Sequence, residues 1–186
     1  AVSSRNRNAV RARLGISDTA PAIVYAAKFD VRKRPADLIA AFSILQQEGL
    51  EAHLVLVGTG ALEESLRSQV GFLGLKNVVF PGFVNQAELP DVYAACDLFV
   101  LPSENEPWGL AVNEAMCAKL PIVLSEEIGC AEDLVYDGVN GATFVAGDVP
   151  GLAAALRPIL ADADMRARLG ATSLNRIQSW SFKECG

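Results

Sequence analysis

Histidine is almost absent from this sequence, and its cysteines are not arranged in pairs. The chain of 186 residues has one histidine, His53, and four cysteines, none of them in a Cys-x-x-Cys pair. A zinc site needs such residues at regular spacings, and none of the standard spacings is present. We therefore interpret the cysteines as small core residues of a protein in a reducing compartment, rather than as disulfide or metal ligands. They are Cys96, Cys117, Cys130 and Cys185.

Long apolar runs and an excess of positive charge are missing as well. Although 51% of the residues are hydrophobic, no uninterrupted apolar stretch approaches bilayer length, which is roughly 18 residues. The formal net charge is −6, whereas surfaces that bind nucleic acid usually carry a dense excess of lysine and arginine. We expect a soluble, cytoplasmic domain that does not bind nucleic acid and that needs a local basic site for any anionic ligand.

Short apolar runs alternate with helical patterns along the chain. The predicted strands are 22–27, 53–58, 77–82, 98–103, 120–125 and 141–146, and the predicted helices are 35–49, 61–74, 86–97, 107–119 and 149–162, with one more helix after them. Strands that are apolar on both faces and separated by helices form parallel sheets covered on both sides. The sequence therefore predicts an α/β fold with a doubly wound, Rossmann-like parallel sheet. Ligands of such sheets bind beyond the carboxyl ends of the strands, so the candidate site lies in the loops there.

The loop predicted after the first strand is the most basic part of the chain. Within seven residues, KFDVRKRP contains Lys28, Arg32, Lys33 and Arg34. One interpretation is a solvated charged face. The alternative is a site for a phosphate-bearing ligand, because these cations follow the carboxyl end of a strand.

The turn GTGALEE after the second strand resembles the start of a dinucleotide fingerprint. Its glycines are Gly58 and Gly60, but Glu63 stands where the third glycine should be. A tight turn between a strand and a helix explains two glycines without any cofactor. We therefore favour the turn over an NAD site.

The stretch SENEPWGLAVNEAMCAKLP contains the most informative helix. Pro107 suits the first helical position, where its missing N–H group has no consequence. The following residues, Trp108, Gly109 and Leu110, would then carry free N–H groups at the positive end of the helix dipole, where a phosphate can bind. Glu106 would project near the same opening and could accept hydrogen bonds from hydroxyl groups. An ordinary helix start is the alternative interpretation.

Glu114 lies inside that helix, among residues typical of a segment buried nearly all round. A buried carboxylate is costly unless it is paired or hydrogen-bonded. Its partner is predicted to be either a lysine of the first loop or the ribose hydroxyls of a ligand. A separate Asp-x-Asp pattern, Asp162 to Asp164, lies between late helices, so we interpret it as a helix cap rather than a metal site.

The stretch ENEPWGLAVNEAMCAKLPIV, with seven residues between Glu106 and Glu114, resembles the E-x7-E signature of retaining glycosyltransferases of the GT-B fold, family 4, the glycosyl transferases group 1. The resemblance extends to AAKFDVRKRPADLIAAF, LVLVGTGALEESL, VVFPGFV, LPDVYAACDLFVLPS and GCAEDLVYDGVNG. It covers nearly the whole chain, and in the family these segments form the carboxyl-terminal, donor-binding domain.

The resemblance implies roles for particular residues. Lys28 and Lys33 would neutralise the diphosphate of a nucleotide-sugar donor, and Glu106 would contact the transferred sugar. Glu114 would bind the ribose hydroxyls. Further contacts would come from Gly58, from Trp108 with the amides of Gly109 and Leu110, and from backbone near Phe83 and Val84, which would meet the base. No metal or other cofactor would be required.

Three residues differ from the family pattern. The usual Gly-Arg before the basic loop is Ala27-Lys28, which keeps the charge but loses the bidentate fork of arginine. The usual glycine near the end of the helix is Lys119.

The resemblance also implies a domain organisation. Residues 1–20 would link to a missing amino-terminal, acceptor-binding domain, and residues 21–186 would form the donor domain with a truncated last helix. The acceptor, and any contact with the inner membrane, would involve only the missing domain. We expect this chain alone to bind nucleotide and to transfer little sugar. A UDP-sugar epimerase and a non-catalytic nucleotide-binding module are the alternatives.

Overall fold

Six parallel strands form a single sheet in the order β3-β2-β1-β4-β5-β6. The computed structural model describes the backbone of residues 4–183 and the side chains of residues 7–180. The strands are β1 (Ala22–Ala26), β2 (His53–Val57), β3 (Val78–Gly82), β4 (Leu98–Leu101), β5 (Ile122–Ser125) and β6 (Gly141–Phe144). The chain winds outward from β1 to β3, crosses to β4 and winds outward again to β6. This order confirms the predicted doubly wound, Rossmann-like sheet.

The helices are α1 (Ser4–Leu14), α2 (Pro35–Gln47), α3 (Glu63–Phe72), α4 (Leu89–Ala95), α5 (Leu110–Cys117), α6 (Ala131–Leu134), α7 (Val149–Ala161) and α8 (Ala163–Lys183). Each predicted strand and helix is present, and none extends beyond its predicted bounds. The sequence patterns missed α1, the short α6 and a 3-10 turn at Val31–Lys33. The helix-cap interpretation of Asp162 is confirmed, since its carboxylate accepts a hydrogen bond from Met165 N at 3.0 Å.

The sheet is the centre of the core. Strands β1, β2, β4 and β5 are buried along their whole length, as continuous runs of valine, isoleucine and leucine predict. One layer contains α2 packed against α3 and α7, and the other contains α1, α4, α5 and α8 in successive contact. Within the described residues, no helix combines the length and the apolar character needed to cross a bilayer.

The cysteines divide into two environments. Cys96 and Cys130 are buried, as predicted, and burial raises the pKa of each thiol to about 12. Cys117 is exposed, so its assignment to the core was wrong. It is the last residue of α5. Cys185 lies outside the described residues.

The segment before β1 packs closely against the sheet domain. Helix α1 contacts α4, and the guanidinium of Arg11 is buried beneath it. Arg11 donates hydrogen bonds to the carbonyl oxygens of Ser17, Ala20 and Ala95 and forms an ion pair with Asp97 Oδ2 at 3.1 Å. This segment is therefore structurally part of the domain, and its role as a link to another domain stays a prediction.

Candidate nucleotide-sugar site

The strand order creates a crevice between the carboxyl ends of β1 and β4. These strands are neighbours in the sheet, but the chain leaves β1 towards β2 on one side and leaves β4 towards β5 on the other. The loops that follow them therefore diverge, and ligands of doubly wound sheets bind in the resulting crevice. The first loop (residues 27–34) and the β4–α5 loop (residues 102–109) border it.

Polar contacts join these two loops directly. The Glu104 N–H group donates to the Arg32 carbonyl at 2.8 Å, and the Arg34 guanidinium donates to Glu104 Oε2 at 2.7 Å. Deeper in the crevice, Lys33 Nζ contacts Glu106 Oε2. The structure thus brings together Lys33 and Glu106, which were both predicted as site residues.

The backbone of the first loop is shaped by local hydrogen bonds. Asp30 accepts a hydrogen bond from Lys33 N at 3.2 Å and caps the 3-10 turn. Tyr25 Oη donates to the Lys28 carbonyl at 3.1 Å, while the Lys28 side chain is exposed. Burial lowers the pKa of Lys33, and the neighbouring charge of Arg32 acts in the same direction while Asp30 opposes it. Two lysines, one exposed and one half-buried, therefore stand at this edge of the sheet.

The start of α5 differs from the prediction. The helix begins at Leu110 with Gly109 as its N-cap, so Pro107 is not the first helical residue. The chain before Gly109 is instead an irregular loop, because Glu106 pairs with the loop after β5: Gly129 N donates to the Glu106 carbonyl at 2.9 Å. That long-range bridge to Ile128 overrides the local preference of proline for a helix start.

Gly109 has a left-handed conformation, with φ at 86°. A Cβ atom there would lie 3.1 Å from Ile128 Cγ2, so a side chain would be both strained and crowded. Trp108 is half-buried against Trp180 of α8, with ring centroids 6.3 Å apart. Leu110 is 72% exposed, and α5 begins at the carboxyl edge of the sheet, where the first N–H groups of a helix have no acceptor within the helix.

Glu114 does not pair with a lysine of the first loop. Its Oε2 atom accepts a hydrogen bond from Tyr93 Oη of α4 at 3.2 Å, while Lys33 pairs with Glu106 instead. The lysine alternative was therefore wrong. The expected burial of α5 on all sides was wrong as well, because the helix covers the sheet with one face and exposes Leu110 and Cys117.

A cavity of about 640 Å³ lies between α4 and α5. Glu114 and Tyr93 line it, together with Gln86, Leu89, Pro90 and Asn113. Ligand pockets for small molecules usually measure about 300–1,000 Å³ and are mostly apolar with a few polar groups. This cavity therefore has the size and the mostly apolar lining of a small-molecule site.

Gly58 packs against the first loop. Its φ is 141°, and a Cβ atom would lie 2.0 Å from the Ala27 carbonyl oxygen. The same constraint applies at Gly60, where a Cβ atom would lie 2.3 Å from the Phe29 carbonyl oxygen. Two glycines thus allow two loops to approach each other, and the interpretation as a tight turn agrees with this geometry. Contact between Gly58 and a ligand stays a prediction.

The loop after β3 contains the two residues predicted to lie near a base. Phe83 is 78% exposed, and Val84 is half-buried against the core. Both lie at the carboxyl edge of the sheet, beyond β3. Their contact with a base stays a prediction.

Comparison with known families agrees with this geometry. Residues 6–176 match the family model described as "Glycosyl transferases group 1". The chain belongs to this family. It is 34% identical over 183 residues to the D-inositol 3-phosphate glycosyltransferase of Xylanimonas cellulosilytica, a match that covers 94% of the chain and 42% of the relative. It is 27% identical over 164 residues to the alpha-D-kanosaminyltransferase of Streptomyces kanamyceticus, covering 88% of the chain and 42% of the relative.

Solved glycosyltransferase structures share the fold of the chain. The structure of Anabaena Alr3699/HepE in complex with UDP and glucose superimposes with a TM-score of 0.86 at 26% identity, covering 96% of this chain and 48% of that one. WaaG, a glycosyltransferase involved in lipopolysaccharide biosynthesis, has the same fold, with a TM-score of 0.83 at 22% identity and coverage of 96% and 48%. The chain spans less than half the length of each of these relatives.

Sequence reasoning missed two residues that shape the site of this group 1 glycosyltransferase domain. Tyr93 falls within the predicted helix 86–97 but was given no role, although a buried tyrosine hydroxyl needs a hydrogen-bond partner. Gly129 opens the segment GCAEDLVYDGVNG, whose loop was expected to border the site, but the residue itself was given no role. A Cβ atom there would lie 2.0 Å from the Pro107 carbonyl oxygen, so this glycine allows the β4–α5 loop to approach the loop after β5 closely.

Proposed function

We propose that this chain is the donor-binding domain of a retaining glycosyltransferase, which moves a sugar from a nucleoside diphosphate sugar to an acceptor. The contact between Lys33 and Glu106 at the crevice carries the proposal, because it joins a cation suited to phosphate with a carboxylate suited to sugar hydroxyls. The nearby cavity that contains Glu114 supports it.

In this proposal the donor extends across the β4–α5 loop. Lys28, Lys33 and the N–H groups at Gly109 and Leu110 stabilise the charge that develops on the departing diphosphate. Glu106 orients the sugar while the acceptor attacks the anomeric carbon from the same face that the diphosphate leaves. These cations serve the leaving group without a metal ion, so binding of a nucleoside diphosphate should be unchanged by EDTA.

The nucleoside would lie on the other side of the β4–α5 loop from the sugar. Glu114 accepts hydrogen bonds from the ribose hydroxyls at the wall of the cavity between α4 and α5, with Phe83 and Val84 near the base and Gly58 beneath the diphosphate. The Anabaena protein was solved with UDP and glucose, so UDP-sugars are the first donors to test.

The proposal includes the setting of this domain. It would be the carboxyl-terminal half of a cytoplasmic GT-B enzyme of family 4, and the acceptor would bind an amino-terminal domain connected through the segment before β1. The lengths of the relatives, of which the chain matches less than half, support a second domain.

A thermal-shift screen tests nucleotide binding. We expect UDP, GDP or ADP, with or without its sugar, to raise the melting temperature of the chain, and Glu114→Ala to lose most of that rise. Glu132→Ala removes an exposed glutamate from α6 and should respond as the unchanged chain does. Equal shifts for the unchanged chain and Glu114→Ala would contradict the ribose role of Glu114.

Turnover separates this proposal from its alternatives. The full-length protein, incubated with a panel of nucleotide sugars and an acceptor extract, should release nucleoside diphosphate and form a glycoside. Interconversion of the donor sugar without release would indicate an epimerase. Binding without any turnover would indicate a sensing module.

A further inference from the structure

A single hydrogen bond from another helix holds the carboxylate of Glu114. Tyr93 Oη donates to Glu114 Oε2 at 3.2 Å, and both side chains line the cavity between α4 and α5. Among the described residues, no hydrogen bond is formed to the other oxygen, Oε1. That oxygen can therefore accept a further hydrogen bond.

Tyr93 itself is held rigidly. It is 1% exposed, and its ring packs edge-on against Phe99 of β4 with centroids 6.0 Å apart and planes at 71°. Burial, reinforced by the charge of Glu114, raises the pKa of Tyr93 well above its ordinary value. The hydroxyl therefore stays protonated at physiological pH and always acts as the donor to the carboxylate.

We propose that Tyr93 is a positioning residue for nucleoside recognition: it fixes the Glu114 carboxylate so that Oε1 faces the ribose hydroxyls of the donor. This inference rests on the proposed function, in which Glu114 binds ribose. A glutamate has three rotatable side-chain bonds, so an unrestrained carboxylate would lose conformational entropy on binding. A carboxylate fixed beforehand loses less, which strengthens the preference for ribose.

The test measures ribose preference rather than overall affinity. Calorimetric titration compares UDP, ADP and GDP with their 2′,3′-dideoxy counterparts on the unchanged chain, Tyr93→Phe, Glu114→Ala and the double variant. We expect the unchanged chain to prefer the ribose form by about tenfold or more, as hydrogen bonds to a charged group allow. Tyr93→Phe should reduce this preference about threefold or more, and Glu114→Ala should abolish it.

Two controls separate positioning from general damage. Tyr25→Phe removes another fully buried phenol hydroxyl, one that donates to the Lys28 carbonyl, and it should leave the ribose preference unchanged. Inorganic pyrophosphate should bind Tyr93→Phe as tightly as the unchanged chain. The double variant should lose as much of the ribose preference as Glu114→Ala alone does, because Tyr93 acts through Glu114.

The outcomes distinguish the two claims. If Tyr93→Phe keeps the full ribose preference while Glu114→Ala loses it, the positioning role is refuted and the ribose role of Glu114 stands. If both variants keep the preference, or if no nucleotide binds the unchanged chain, the underlying assignment of Glu114 fails and the inference fails with it. An equal loss of pyrophosphate and nucleotide affinity in Tyr93→Phe would reveal a general structural defect and would also refute positioning.

Discussion

Lys33 Nζ and Glu106 Oε2 are in direct contact across the crevice that separates the loops after β1 and β4. Both side chains are half-buried, with exposed fractions of 25% and 15%. In the proposed donor complex each would face a different part of the ligand, the lysine the diphosphate and the glutamate the sugar. Donor binding would therefore exchange an internal ion pair for two contacts with the ligand.

This exchange predicts opposite effects of two substitutions on the binding of pyrophosphate. Glu106→Gln removes the carboxylate that competes for the ammonium group, so pyrophosphate and UDP should bind severalfold more tightly. Lys33→Met removes the cation and should weaken binding by more than about tenfold. Calorimetric titration at low salt measures both effects, with the exposed Lys76→Met as a control that should change neither. Changes in the same direction for both variants would contradict the exchange.

Gly58 should resist substitution more strongly than a glycine in open space. Gly58→Ala would force a Cβ atom to within 2.0 Å of the Ala27 carbonyl, and we expect a loss of about 2 kcal/mol or more in the free energy of unfolding. Gly71 of α3 has no neighbour within 4 Å. Gly71→Ala should therefore gain up to about 1 kcal/mol through helix propensity. Urea denaturation measures both, and similar values for the two variants would be inconsistent with this geometry.

Arg11 should contribute strongly to stability even though its charge is surrounded by protein. Arg11→Ala leaves three carbonyl groups and part of the Asp97 carboxylate without their partner. Arg7 keeps an ion pair with Asp97 at 2.8 Å. We therefore expect the free energy of unfolding to fall by about 3 kcal/mol, the lower end of the range for removing one partner of a buried ion pair. Arg13→Ala, at an exposed position of the same helix, should stay within about 0.5 kcal/mol. Denaturation curves would contradict the prediction if both losses were equal.

His53 should make the domain less stable in mild acid. Burial lowers the pKa of His53 below its ordinary value of 6.5, and the positive charge of Arg11 acts in the same direction. Below pH 6.5 the unfolded chain therefore binds a proton that the folded chain does not. The stability present above this pH is lost as the pH falls, with a slope of at most about 1.4 kcal/mol per pH unit from this residue.

A hydrogen bond to the ring of His53 explains why the folded chain favours its neutral form. His53 Nε2 accepts a hydrogen bond from the Ser17 N–H group at 3.0 Å, which requires a neutral ring. Urea denaturation at several pH values between 7.5 and 5 should show a flatter dependence for His53→Gln than for the unchanged chain. If the two plots of unfolding free energy against pH were parallel, other titratable groups would be the cause of the acid sensitivity.

The sequence predicted the sheet well because its strands are continuous apolar runs, a local pattern. It also predicted that Lys33 and Glu106 belong to one site, since both follow strands whose carboxyl ends share one edge, but not that they contact each other. It did not predict the path of the chain before α5, which depends on a bridge between Glu106 and Ile128. The partner of Glu114 was missed for the same reason, because Tyr93 lies 21 residues away on another helix.

Helix α1 was missed for a different reason. Its residues are polar and basic, so they resemble a solvated segment, and nothing in the local pattern indicates that Arg11 is buried. The carbonyl groups that bind Arg11 belong to the loop before β1 and to the end of α4. Because these carbonyl groups come together only in the folded structure, a local sequence pattern does not predict that a cation binds them.

Asp97 connects helix α1 to the start of strands β1 and β4. Asp97 immediately precedes β4, and its carboxylate binds Arg7, Arg11 and the Ala22 amide. The far end of the same strand leads into the loop that contains Glu106. Arg7 and Arg11 of α1 are therefore bound directly to the start of the strand whose other end leads into the crevice.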